Sequence, residues 1–216
     1  MKRGLQVAFE GIEGCGKTTQ AENLFSVLRD LNIPVSVYRE PGGTPSAEGI
    51  RYLILHSGLQ FQAITEALLM NAARAELLVV IRGELARGVT VISDRTFLST
   101  ICYQGYGAGS SAEEVEVLRQ MCALTIGQTV PDITLVIDVP VAAAFARIKD
   151  KKPDYFEKRP REFHERVRQG FLKEAARNSE VNKVINGELA PEIVADHVLD
   201  IAETLLHGRG LLNNGG

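Results

Sequence analysis

The 216-residue chain has no excess of basic charge, no paired-cysteine spacing and no long apolar run, and each absence removes a class of function. Its 24 Lys and Arg against 27 Asp and Glu leave a formal charge of -3, with a pI near 5.9. A general nucleic-acid or membrane-surface binder needs a broad basic excess, and none is present. The three cysteines, Cys15, Cys102 and Cys122, are widely spaced and form no CxxC. Four scattered histidines, His56, His164, His197 and His207, supply no zinc spacing either. No segment approaches the roughly 18 apolar residues of a membrane span. The stretch MKRGLQVAFEGIEG lacks an apolar run of signal-peptide length. The expected compartment is therefore the reducing cytoplasm. What remains is an ordinary globular composition, 45% hydrophobic and 24% charged, which excludes a disordered chain, a collagen-like chain and a disulfide scaffold. The length suits one well-filled core and is short for two.

Apolar β-branched runs alternate with stretches of helical period. Strands are expected at Val7 to Glu10, Pro34 to Tyr38, Val89 to Ser93, Ile133 to Asp138 and, more weakly, Val181 to Ile185. Helices are expected over Thr18 to Leu31, Ala63 to Arg87, Glu113 to Ile126, Arg161 to Arg177 and Glu192 to Leu206. Strands apolar on both faces and separated by helices imply a parallel sheet covered on both sides. With no internal repeat or low-complexity linker, the reading is one α/β domain spanning 1–216. Its Gly/Asn-rich tail, about 208–216, is expected to be flexible. In such sheets ligands gather at the carboxyl ends of the strands, which directs attention to Glu10, Arg39, Asp94 and Asp138.

Gly11, Ile12, Glu13, Gly14, Cys15, Gly16, Lys17 and Thr18 fit G-x-x-x-x-G-K-[ST] at every fixed position, between a strand and a helix. Glycines let successive backbone N–H groups turn toward phosphate oxygens, and the helix N-terminus adds partial positive charge. Lys17 can reach the β- and γ-phosphates, and the Thr18 hydroxyl, with Thr19 beside it, can serve the metal and phosphates of Mg·ATP. Cys15, inside the loop, reads as a small side chain tolerated in a tight turn. A guanine-reading NKxD motif and an LSGGQ-like signature are both absent. Arginines and carboxylates follow at later strand ends, which suggests an anionic acceptor for the phosphoryl group.

The order of motifs resembles the thymidylate kinases of the bacterial type. FEGIEGCGKTTQ at 9–20, YREPGGT at 38–44 and EALLMNAARAELL at 66–78 are followed by ISDRTFLSTICYQGYGAG at 92–109, PDITLVIDVP at 131–140 and EFHERVRQGF at 162–171. The resemblance implies a three-layer P-loop NTPase fold with a parallel five-stranded sheet, helices on both faces and a short lid at about 147–160. It implies transfer of the ATP γ-phosphoryl group to dTMP with Mg2+, and a homodimer formed through a helical face. By the same resemblance Asp94 lies near the metal, and Arg95, Arg39 and Arg51 contact the acceptor phosphate. Glu13 bonds the deoxyribose 3′-hydroxyl, Arg74 and Thr100 read thymine, and Tyr103 and Gln104 close around sugar and phosphate. Core packing is a competing role for Tyr103.

Two positions depart from that pattern. Met70 stands where the family usually stacks Phe on thymine; Met offers a polarisable contact without an aromatic face. Tyr155, in DYFEKR, stands where the family's lid commonly carries Arg. Gly14 fits the subclass whose catalytic arginine comes from the lid, so Arg159 is the expected substitute, with Arg147 the alternative. From Arg147 to Arg168 there are nine Lys and Arg against five Asp and Glu, a local basic excess suited to closing over ATP. Other acceptors, such as another nucleoside monophosphate or a deoxynucleoside, and a regulatory protein that binds ATP without turnover, are the competing readings.

Overall fold

The computed structural model describes residues 2–212. Five parallel strands make one sheet in the order β2-β3-β1-β4-β5, formed by β1 (Gln6–Glu10), β2 (Val35–Arg39), β3 (Thr90–Asp94), β4 (Ile133–Asp138) and β5 (Asn182–Asn186). The three inner strands are buried along nearly their whole length, whereas the edge strands β2 and β5 are half exposed. That is the burial expected when helices cover both faces of a parallel sheet. The helices are α1 (Lys17–Asp30), α2 (Pro45–His56), α3 (Ala63–Ala86), α4 (Phe97–Thr100), α5 (Ala112–Ile126), α6 (Val141–Arg147), α7 (Arg161–Arg177) and α8 (Pro191–Arg209). Helices α1 and α8 pack together on one face; α3, α5 and α7 pack around the 97–107 segment on the other. Phe9, Leu5, Ile92, Leu135, Ile137 and Phe171, all fully buried, fill the interior.

The expected strands and long helices are present, with ends shifted by a few residues. Four elements were not expected. Helix α2 begins with Thr44 accepting a hydrogen bond from the Ala47 N–H, followed by Pro45 at the first helical position. This Thr-Pro pair is a helix-start signal in its own right. Helix α6 is only seven residues long. Helix α4 runs on into a π-helical segment, Ile101–Gly107, whose wider turn no periodicity of 3.6 reveals. There Gly107 admits α7, since a Cβ at this position would lie 2.7 Å from Val167 and 2.8 Å from Phe163. The expected flexible tail falls partly on residues 213–216, which lie outside the described residues.

In this strand order the chain runs from β1 to the β2 side and passes β1 again between β3 and β4, so the direction switches at β1 and a crevice opens above its carboxyl end. The ends of β1, β2 and β3 bring Glu10, Arg39 and Asp94 to that crevice.

Candidate active site

The 11–19 loop curls from the end of β1 into the start of α1. Gly14 sits at φ 74°, and a Cβ there would lie 2.2 Å from the Ala144 carbonyl oxygen. A side chain at this point of the loop is therefore excluded by α6 as well as by backbone conformation. Lys17 is buried, and its ammonium donates to the Ile12 carbonyl at 3.3 Å, leaving donors free toward the crevice. The Thr18 hydroxyl donates to Asp94 Oδ2 at 2.6 Å, while Asp94 Oδ1 is buried with no protein partner.

Arg95 follows Asp94 with φ 75°, a conformation that costs a non-glycine residue about 1–3 kcal/mol and persists only where the surroundings impose it. The surroundings do so here. Its N–H donates to the Phe9 carbonyl at 2.9 Å, tying the turn to β1. Its guanidinium donates to Gly11 O (3.0 Å), Ser99 Oγ (2.9 Å), Glu13 Oε1 (2.9 Å) and the Tyr103 hydroxyl (3.2 Å). Underneath, the fully buried Glu10 accepts from the N–H and hydroxyl of both Thr96 (2.8 and 2.9 Å) and Ser99 (3.1 and 2.6 Å). Burial pushes the Glu10 carboxyl above its ordinary range, with Arg95 and these hydrogen bonds only partly offsetting it.

Glu13 is also buried, and burial alone would raise its pKa. Arg95 and Lys17, with the Tyr103 hydroxyl donating to its carboxylate at 2.6–2.7 Å, outweigh that and hold it below the ordinary carboxylate range. The Tyr103 ring meets Phe156, Phe163 and Phe171 edge-on, with centroids 5.5–6.2 Å apart. Tyr103 thus packs in the core and presents its hydroxyl to the site at once.

On the opposite wall, α3 supplies Met70 and Arg74. Arg74 is buried and donates to Glu40 Oε2 (2.6 Å), Asn71 Oδ1 (2.9 Å), the Thr96 carbonyl (3.1 Å) and Thr100 Oγ1 (3.0 Å). Burial raises the Glu40 carboxyl pKa, with Arg74 pulling it back. Arg51 donates to the Pro41 carbonyl at 2.8 Å. Burial first, then the neighbouring Arg39 charge, lowers its pKa, and Arg95 adds to the same repulsion. Arg51 is thus repelled by both Arg39 and Arg95, and the three clustered guanidinium groups create a place for an anion.

These walls enclose a cavity of about 490 Å3, within the size range of small-molecule sites. It is lined by Glu13, Gly14, Gly16, Lys17, Thr18 and Thr19 from the loop, and by Arg39, Arg51, Met70, Arg74, Asp94, Arg95, Thr100, Tyr103 and Gln104. Gly11, Ile12 and Cys15 do not reach it; Gly11 gives its carbonyl to Arg95, and the other two side chains are packed in the core. From the 147–160 segment, Arg147, Lys151 and Phe156 line the cavity, but Arg159 does not. Arg159 donates to Glu66 Oε1 at 2.7 Å and lies over the Tyr155 and Phe163 rings. Arg147 bridges the Cys15 carbonyl (3.4 Å) and the Gly187 carbonyl (2.8 Å). Asp138 is held bidentately by Arg168 at 2.7 and 2.8 Å, a structural pairing.

Sequence reasoning did not single out Ser99, Glu40, Asn71 or Glu66. Each stands in a quoted motif, the first three beside a residue that was named, and only the fold shows that its side chain turns inward.

The thymidylate kinase family model matches residues 9–198. The thymidylate kinase of Desulforudis audaxviator is 40% identical over 209 residues, covering 95% of this chain and 93% of that protein. The thymidylate kinase of Nitrosomonas eutropha is 41% identical, covering 94% of each. Among solved structures, thymidylate kinase from Ehrlichia chaffeensis superposes with a TM-score of 0.74 at 32% identity, covering 93% of this chain and 99% of that one.

Proposed function

The chain belongs to the thymidylate kinase family and is an enzyme that phosphorylates dTMP, and we propose that it moves the γ-phosphoryl group of ATP, in the presence of Mg2+, onto a phosphate oxygen of dTMP. The observation that carries the mechanism is one cavity with the phosphate loop on one side and the Arg39, Arg51 and Arg95 cluster on the other. Two anionic phosphates brought together need such an arrangement more than they need a base.

The loop N–H groups and Lys17 hold the β- and γ-phosphates. Arg95, with Arg39 and Arg51, holds the acceptor phosphate, already deprotonated at neutral pH. Its oxygen attacks the γ-phosphorus as the bond to the β–γ bridging oxygen breaks; the electron pair leaves with ADP, and the product is dTDP. Thr18 and Asp94 would hold Mg2+. The unpartnered buried Asp94 oxygen beside a hydroxyl makes a hard-oxygen set that fits it. Among the described residues no cluster of three or more His, Cys, Asp or Glu forms a closed metal cage, which suits an ion completed by water and phosphate oxygens. When bound, Mg2+ neutralises charge on the β- and γ-phosphoryl oxygens.

Glu13, Tyr103 and Gln104 border the sugar and phosphate, and Met70, Arg74 and Thr100 border the base. From the lid, Arg147 and Lys151 add cations to the cavity wall, and Arg159 acts on the position of the lid. A deoxynucleoside acceptor, a hydroxyl, would call for a carboxylate base. Glu13 is disfavoured for that role because Arg95 and Lys17 hold its pKa low.

ADP release from Mg·ATP, with dTMP, dUMP, dCMP, AMP, GMP or thymidine added singly, tests the reading. Stimulation by dTMP well above dUMP is expected. A preference for another acceptor, or no stimulation with ATP bound, would overturn it.

We also propose that residues 1–216 form one domain with a lid at about 147–160, acting in the cytoplasm as a homodimer. Among the described residues no helix is long and apolar enough to cross a membrane. Ile64, Leu68 and Val79 are exposed along α3, the kind of helical face a second copy would cover. Light scattering at the mass of two chains is the expected result.

A further inference from the structure

Glu66, in the first turn of α3, is almost fully buried and has no role in the chemistry above. It accepts three side-chain hydrogen bonds, divided between its two oxygens. Oε1 takes the Tyr155 hydroxyl at 2.7 Å and Arg159 Nη2 at 2.7 Å. Oε2 takes Gln104 Nε2 at 3.1 Å. Arg159 also donates to the Tyr155 hydroxyl at 3.2 Å, and the Tyr155 ring packs edge-on against Phe156 at 5.0 Å. Tyr155 and Arg159 belong to the 147–160 segment, whereas Gln104 lines the cavity on the π-helical wall.

We infer that Glu66 is a positioning residue coupling closure of the 147–160 segment to seating of the acceptor against Gln104, with Tyr155 and Arg159 as the lid's half of the clasp. This rests on the assignment of that cavity to dTMP. A buried carboxylate stripped of its cation and donors is costly, so lifting the segment leaves Glu66 unpaired and loosens its hold on Gln104. The converse follows by linkage: an acceptor that orders Gln104 fixes the carboxylate in the geometry the lid requires. The arrangement also gives Tyr155 a task. As a neutral donor it adds a hydrogen bond to Glu66 and leaves the carboxylate charge for Arg159. Burial and the Glu66 carboxylate raise the Tyr155 pKa, which keeps the hydroxyl protonated.

The test uses the full chain and two readouts, calorimetric binding of dTMP without ATP, and tryptic cleavage after the exposed Lys151 and Lys158. In the wild type, dTMP is expected to slow cleavage at these sites by at least about fivefold, the low end of typical site-to-site coupling. In Glu66→Gln, dTMP is expected to bind several-fold more weakly and, at saturation, to give no protection. In Tyr155→Phe, which leaves the buried carboxylate and its Arg159 pairing in place and so guards against misfolding, protection is expected to be partial. Steady-state kinetics of both should show a lower kcat and a higher KM for dTMP at unchanged KM for ATP. Full protection by dTMP in both variants, with only thermal stability reduced, would overturn the coupling and leave Glu66 a packing residue. Absence of dTMP binding to the wild type would overturn the acceptor assignment itself, and the coupling with it.

Discussion

The two ends of the cavity are assembled by different means. At the phosphate-loop end, the groups that meet are backbone and side chains on the ends of three adjacent strands, and they are held from below. Glu10 anchors the turn after β3, that turn fixes Arg95, and Arg95 fixes Glu13. At the lid end, the 147–160 segment is largely exposed, and Tyr155 and Arg159 are attached to the rest through Glu66, about ninety residues away in sequence. The first end is cross-braced by these bonds; the second is tied down by Glu66, by Phe156 packed on Tyr103 and by Arg147 on the Cys15 and Gly187 carbonyls. A preformed charge pattern suits the first, and the opening and closing proposed for the 147–160 segment suits the second.

The sharpest way to break this contrast is to remove charge from the cross-braced end. Lys17→Ala and Arg95→Ala should each lower kcat by about 10²–10³-fold or more, the usual cost of losing a preorganised charge donor. Lys17→Ala should do so with an unchanged circular dichroism spectrum, because its only side-chain hydrogen bond among the described residues is to Ile12 O. Arg95→Ala should also lower thermal stability, because it leaves Glu13 without its closest cation. A loss below tenfold in either would mean that the lid, not the loop, supplies the main cationic charge. Within the same end, Asp94→Asn should raise the Mg2+ concentration for half-maximal rate by about tenfold or more, read from a Mg2+ titration of the rate.

Legibility in the sequence follows the same division. The loop and the strand that precedes it were readable because local spacing and periodicity specify them; Asp94 was marked by its strand end, and Arg95 by the resemblance to the family's Asp-Arg motif. The long helices were readable for the same reason. Met70 and Tyr155 could be recognised as departures, but their consequences could not. Arg159 illustrates why: its charge suggested a place over the phosphates, whereas a buried carboxylate on α3 holds it elsewhere. Long-range pairing leaves no local pattern, and neither does the π-helical turn that carries Tyr103 and Gln104. Glu10 was placed at a strand end, yet its role as an anchor for the Arg95 turn appears only when Thr96 and Ser99 fold onto it.

Smaller perturbations sharpen the contrast between the ends. Met70→Phe should lower the KM for dTMP by about 2–10-fold, the worth of a well-placed aromatic contact at about 0.5–1.5 kcal/mol, with kcat little changed. Glu13→Gln tests the electrostatics of the loop through stability. Because the Glu13 pKa lies below its unfolded value, its charge stabilises the fold above pH about 4.3, and that contribution disappears as pH falls through the folded pKa. The wild type should therefore exceed Glu13→Gln in Tm at neutral pH, by a margin that shrinks in acid. A margin that grows in acid would reverse the sign of the shift. Tyr155→Arg should change kcat by less than about threefold, since an arginine there still meets Glu66 first. A tenfold gain would show that the position reaches the phosphates after all.

The central claim is that the phosphoryl group passes to the phosphate of dTMP. Phosphorus NMR of one tube containing enzyme, Mg·ATP and dTMP follows it directly. The account predicts that the β-phosphate of dTDP and ADP appear in a one-to-one ratio, with no inorganic phosphate. ADP accumulating with inorganic phosphate while dTMP stays unchanged, or phosphate appearing on the 3′-hydroxyl, would contradict it.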